Sequence, residues 1–378
     1  MPSLRVVALL AAFAALIAAG CGGGGGSSGG VAAGASVSTY GNTTLPGRLL
    51  VNSGGGSGTR AVFDLRTAQR VVPPPSRLNP QRDWWSAGAS ATTPLLRWNE
   101  GATLSEIAFF DPTAYTSAKP SVQISNTINT PLLSADGRYL LAFWYDQSSG
   151  EFITDKLLTV FDSGSGAVVK RGSQLDDKSV ISRPAAWLPD GRYVYLAGKS
   201  LYASSPASTV STLIAALALP DNASPNVSRS AMAVSPDGKR LAFSWTETRG
   251  LSQDSNLWVV GADGTGLRRL TSAPDPKSAL DFVHGSPTWS PDGQWIAGVL
   301  YMGGTSVAPV FPDEPFAGST IVSTTGCIDQ VFVLGAGGGS VALTWPTYDA
   351  AHGVKVEAPS GGGGQWLSTC GGEIFWLP

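Results

Sequence analysis

The chain has 378 residues, a formal net charge of −2 and 14% charged residues, against the roughly 25% usual in soluble proteins. With 47 Gly and 12 Trp, it reads as an all-β fold whose many turns join sheets buried on both faces. Sparse, balanced charge with no long run of Lys or Arg excludes the footprint of a nucleic-acid binder, and two His exclude a metal site built from several imidazoles.

Residues 6–20 read VVALLAAFAALIAAG behind Arg5. The run is shorter than the roughly 20 apolar residues a membrane-spanning helix needs. A short basic start, an apolar stretch and small residues at its end describe an export signal over residues 1–20. Ala18-Ala19-Gly20-Cys21 closes the run, and a Gly- and Ser-rich tract follows. This resembles the lipobox of bacterial lipoproteins, with Ala18 where that motif usually has Leu. The resemblance implies lipid attachment at Cys21. With Gly22 behind the cysteine, it also implies a place in the cell envelope at the outer membrane, facing the periplasm. A plain secretory signal with an incidental cysteine is the alternative. Residues 21–46 hold no charged residue and are expected to form a coiled tether spanning roughly 25–30 Å. Residues 47–378 are expected to form the folded body.

Within that body a turn recurs: Ser134-Ala135-Asp136-Gly137, Leu188-Pro189-Asp190-Gly191, Ser235-Pro236-Asp237-Gly238 and Ser290-Pro291-Asp292-Gly293. Its Asp residues are 54, 47 and 55 residues apart. A supersecondary unit repeated at that interval must stack on copies of itself. In one repeat, Ala231–Val234 is a short strand, and Pro236, Asp237 and Gly238 supply the fixed φ, the local side-chain bond and the positive φ of a tight turn. In the next strand Leu241, Phe243 and Trp245 share one face, with the small Ala242 and Ser244 on the other. Leu257–Val260 is a third strand, Ala262–Gly266 a second turn, and Leu267–Thr271 a fourth strand. Four antiparallel strands joined by hairpins make one propeller blade.

SPDGKRLAFSW followed by NLWVVGADGTGLRRLT resembles the repeat of TolB-type β-propellers, as does PTWSPDGQWIAGVLY. The resemblance covers about residues 130–302. It implies an envelope role and contact with an envelope protein or cell-wall component. Apolar runs ending in Asp or Gly mark third strands at Ala61–Asp64, Ile107–Asp111, Leu158–Asp162, Leu257–Gly261 and Val331–Gly335, with a degenerate one at Leu213–Leu219. The expected fold is therefore an all-β, six-bladed β-propeller, with seven blades as the alternative. One or two C-terminal strands from Gln365–Trp376 are expected to pair with the first blade, whose strands lack a turn motif before them. Residues 303–326 are expected to be a surface loop.

Besides Cys21, only Cys327 and Cys370 occur. An even pair in an oxidising compartment points to a disulfide, worth about 4 kcal/mol in the loop-closure picture; two buried free thiols are the alternative. No Gly-x-Ser-x-Gly elbow appears, and neither a cofactor nor a metal is expected. Seven or eight residues before each turn Asp stand Asn129, Arg183, Arg229 and His284. In a propeller these repeat-equivalent positions ring one mouth of the central channel, where two Arg and a His would favour an anionic group. Alternatively they bond neighbouring blades or face solvent. Trp84-Trp85 is either a contact patch or packing between blades. The function expected is a lipid-anchored binding or scaffold module without catalysis; the alternative is an enzyme acting in the channel on a sugar or peptide.

Overall fold

The computed structural model describes residues 45–52, 60–71, 83–87, 93–99, 104–125, 131–144, 157–171, 184–220, 223–225, 232–249, 252–272, 282–302, 306–308, 320–322, 329–343, 351–357, 364–369 and 372–378. The export signal, Cys21 and the tether up to residue 44 lie outside them. No helix occurs among the described residues.

The repeated turn shows how local sequence sets the strands. In three copies the Gly N–H donates to the Ser carbonyl at 2.8–2.9 Å, closing the turn at Ser134, Ser235 and Ser290. Each Ser hydroxyl also bonds the turn Asp, at 2.6, 2.6 and 2.5 Å. The same hydroxyl oxygen accepts the N–H of Tyr139, Arg240 or Trp295 at 2.9–3.0 Å. Each Gly has φ between 67 and 84°, a region closed to most side chains. Where the fourth copy has Leu188 for Ser, Asp190 pairs with Arg192 at 2.7 Å.

Antiparallel sheets follow one another along the chain. The second blade is Asp83–Ser86, Leu95–Asn99, Leu104–Phe110 and Ser117–Ser125; the third is Leu132–Leu133, Tyr139–Trp144, Leu157–Asp162 and Val168–Arg171. The fourth is Ala185–Trp187, Tyr193–Ala197, Ser200–Ser204 and Thr212–Ala216. The fifth is Met232–Val234, Arg240–Arg249, Ser252–Gly261 and Arg268–Arg269. The sixth holds Phe282–Trp289, Trp295–Met302 and Asp329–Gly335, and a single parallel pair, Ser255 with Val283, joins it to the fifth.

The first blade closes the ring. Its inner strand is the C-terminal Glu373–Leu377, paired antiparallel with Arg48–Asn52, followed by Arg60–Asp64 and Arg70–Val71. The expected closure by a C-terminal strand is thus met. Closure also rebuilds the repeated turn from the two ends of the body. Trp376-Leu377-Pro378 and Gly47-Arg48 stand in register like Trp187-Leu188-Pro189 and Gly191-Arg192, with Leu377 opposite Arg48 and Arg48 Nε bonded to the Pro378 carbonyl at 3.0 Å. Leu45, before that turn, is already buried.

Six apolar clusters sit at six blade junctions, the last between the sixth and first blades. Leu241, Phe243 and Trp245 pack toward the fourth blade, and Ala242 toward the sixth. Trp85 is fully buried and lies tilted against Phe110, with ring centroids 4.9 Å apart, so it is packing between the first two blades. Cations stitch the junctions too. Lys119 Nζ donates to the Gly137 carbonyl at 3.0 Å and Lys170 Nζ to Ser204 Oγ at 2.5 Å. Arg240 donates to the Gly293 carbonyl at 2.8 Å.

One expectation is corrected. Leu213–Leu219 is no third strand: Thr212–Ala216 is the outer strand of the fourth blade, and Ser200–Ser204 is the third. Gly198, at φ 55°, lets a two-residue Gly-Lys hairpin bring Ser200 back opposite Ala197, as Gly does in such short loops. Residues 303–326 contain a short paired ribbon, Ser306–Ala308 with Thr320–Val322.

Cys327 and Cys370 lie outside the described residues. Their described neighbours are bonded: Thr369 N–H donates to the Asp329 carboxylate at 3.0 Å, and Val331 N–H to the Leu367 carbonyl at 2.9 Å. The proposed disulfide would tie the same two segments. Peptide mapping of unreduced protein should give a Cys327–Cys370 linked pair that reduction separates; both peptides recovered free would remove the bond.

The turns also touch one another. A Cβ added at Gly238 would meet Pro189 Cδ at 2.8 Å, whereas one at Gly293 has nothing nearer than 3.6 Å. Gly293→Ala is expected to cost about 1 kcal/mol for its backbone alone. Gly238→Ala should cost about 2–3 kcal/mol, because overpacking adds to that strain. Urea unfolding of the two variants checks the order, and equal losses would remove the turn-to-turn contact from the account.

Candidate functional site

The inner strands converge on one cavity of about 400 Å³. Every blade contributes to its wall: Trp376 from the first, Ala87 from the second, Leu133 from the third, Trp187 from the fourth, Val234 from the fifth and Trp289 from the sixth. Five of these six residues occupy one place in the repeat, directly before the turn. That place lies at the end of an innermost strand, so its side chain faces the axis or the neighbouring blade. The indole N–H groups are already engaged. Trp187 Nε1 donates to the Leu132 carbonyl at 2.9 Å and Trp289 Nε1 to the Ala233 carbonyl at 3.2 Å, each in the preceding blade. Trp376 Nε1 donates to the Pro46 carbonyl at 2.7 Å. None of the described residues lining the cavity is Asp, Glu, Lys, Arg, His or Cys.

The expected rim set is only partly visible. Asn129, Arg183 and Arg229 lie outside the described residues. His284 is wholly buried where the fifth and sixth blades meet, and it is not among the cavity's lining residues. Its Nδ1 is 2.8 Å from the Ser255 carbonyl, its own carbonyl accepts Ser244 Oγ at 3.0 Å, and its ring lies edge-on to Phe332 at 5.9 Å. Nε2 has no hydrogen-bond partner. Burial and this unpaired nitrogen disfavour the imidazolium, and the pKa falls from 6.5 to about 4. Asp254 pulls the other way and Arg269 adds to the fall. Arg269 itself pairs with Glu247 at 2.6 Å, where burial raises the carboxyl above its ordinary value. Sequence reasoning placed His284 by its offset from Asp292, which fixes its position along the strand and not the direction of its side chain.

No family model matches the chain. Two curated relatives are the Tol-Pal system protein TolB of Anaeromyxobacter dehalogenans strain 2CP-C, 35% identical over 119 residues, and that of Anaeromyxobacter sp. strain K, 38% identical over 119 residues. Each alignment takes in 30% of this chain and 23% of the relative, so the chain spans under a quarter of the length of the curated relatives it matches. The chain is a β-propeller, and 119 of its residues are similar to part of TolB. Among solved structures, one from Agrobacterium tumefaciens provisionally described as TolB is 15% identical. It covers 89% of this chain and 99% of its own, with a TM-score of 0.41. A protein from Lactobacillus plantarum is 12% identical over 88% of this chain and 99% of its own, with a TM-score of 0.45.

His284 is expected to make the junction of the fifth and sixth blades sensitive to acid. The folded protein holds His284 neutral down to about pH 4, whereas the unfolded chain takes up the proton near 6.5. Stability is therefore expected to be unaffected above pH 6.5 and to fall between 6.5 and 4, by about 3 kcal/mol in all. Glu247, with its raised pKa, opposes part of this loss. His284→Gln should flatten that interval in urea titrations run at several pH values, and an unchanged slope would remove His284 as its source.

Proposed function

We propose that this chain is a lipid-anchored propeller of the cell envelope that binds an envelope protein or cell-wall component and performs no chemistry of its own. One observation carries the binding reading: an axial cavity whose described wall is mostly apolar and holds no charged side chain. Catalysis by acid and base, or by a nucleophile, needs converging titratable groups, and an enzyme working in this channel on a sugar or peptide would have to find them elsewhere. The envelope address rests on two supports. One is the similarity to proteins of the Tol-Pal system over 119 residues; the other is the Ala18–Cys21 motif with lipid at Cys21.

The rim residues Asn129, Arg183 and Arg229 are the proposed contacts for an anionic feature of the partner. Crosslinking in intact cells, followed by identification of the joined protein, tests the reading. One envelope protein should be recovered repeatedly, and Arg183→Ala with Arg229→Ala should reduce its yield several-fold while the melting temperature stays unchanged. Recovery of no partner, together with turnover of a sugar or peptide by the purified protein, would overturn it.

A further inference from the structure

Every blade lends its inner edge to the axial cavity, and the chemistry of that wall selects a ligand. Its volume of about 400 Å³ falls in the range of small-molecule pockets. Donors are scarce. The three indole N–H groups are bonded to backbone carbonyls. Five wall positions are proline, at 112, 236, 287, 291 and 378, and have no N–H to offer. Thr93 donates its hydroxyl to the Ala135 carbonyl at 3.3 Å, and Thr288 Oγ1, which accepts the Trp376 N–H at 2.9 Å, keeps its own hydroxyl proton as a single wall donor. A carboxylate, phosphate or sugar would lose its water and find few partners, which is costly. An apolar molecule loses nothing of the kind and gains contact with aromatic surface. Met232, unbranched and polarizable, adds a wall element that can adjust to a ring.

We infer that the axial cavity is a binding site for one uncharged, ring-bearing apolar small molecule. The proposal goes beyond the protein-partner reading: it rests on the same axial cavity but needs no second protein, so probe binding and crosslinking can fail independently.

Two fluorescent probes separate the possibilities. N-phenyl-1-naphthylamine is uncharged; 8-anilinonaphthalene-1-sulfonate has nearly the same rings with an added sulfonate. The full chain should bind the first at one site per molecule, with quenching of the wall tryptophans. It should bind the second about tenfold more weakly or worse, because the sulfonate would be buried without a partner. Ala233→Phe fills the cavity from the fifth blade and Ala87→Phe from the second. Whichever variant keeps the parent's circular dichroism and melting temperature should lose at least about tenfold in affinity for the uncharged probe. No saturable binding, equal binding of both probes, or a folded filled variant that binds as well as the parent would each overturn the proposal.

Discussion

Pairing of Arg48–Asn52 with Glu373–Leu377 is the contact on which the ring depends. A single blade is a thin sheet with apolar side chains on both faces, and it is stable only when both faces are covered. An open row of such blades would leave two faces in water and two unpaired edges. Here the sixth blade meets the first through Val299, Val331 and Val333 on one side and Leu49, Val51 and Trp376 on the other. That junction forms only when the last strand has joined the second strand of the first blade. Contacts this distant in sequence cost the most loop entropy and reward it last. The split turn, with Pro378 on one side and Gly47 on the other, concentrates that cost in one place: the closing strand is set by the same geometry that every other blade builds locally.

Much of this was legible because the repeat is written in residues with narrow conformational roles. Pro, Asp and Gly at fixed offsets dictate a turn wherever they occur, so Asp136, Asp190, Asp237 and Asp292 located four blades. The alternation at Leu241, Phe243 and Trp245 gave the face buried against the fourth blade. The split turn was not read from the sequence, because its halves, at Gly47-Arg48 and at Trp376-Leu377-Pro378, lie 330 residues apart. What else escaped the sequence was decided by competition between similar strands. Leu213–Leu219 has the apolar character of a third strand, yet the Gly198 hairpin places Ser200–Ser204 there first. Thr212 and Leu213 are left on the exposed outer edge.

The candidate site was less legible than the fold, and for a physical reason. An offset from a turn fixes a residue's height along its strand but not which way its side chain points. His284 has the height of a rim residue. The register shift between Gly285 and Thr288 and the parallel contact of Val283 with Ser255 seat its ring inside the junction of two blades. There it bonds a backbone carbonyl and meets Phe332, so its chemistry goes into structure. Low overall charge has a similar root. Lys119, Lys170 and Arg240 spend their donors on carbonyls or hydroxyls of a neighbouring blade, and none of the described residues lining the cavity is a cation.

The residue before each turn is where this repeat carries information about ligands. Within the turn, Ser, Asp and Gly are held by hydrogen bonds and by positive φ, and changing them alters the blade before anything else. Along the second and third strands, both faces are buried against neighbours. The last inner-strand position is different: the sheet asks only that it be apolar, and its outer reach is the axial cavity. Leu133, Trp187, Val234, Trp289 and Trp376 all meet the structural demand, but they give the wall very different shapes. Three indoles in that set, anchored by their own N–H groups to adjacent strands, turn a structural ring into a donor-poor aromatic chamber. The turn motif therefore identifies the architecture, and the one residue preceding it sets what the architecture can hold.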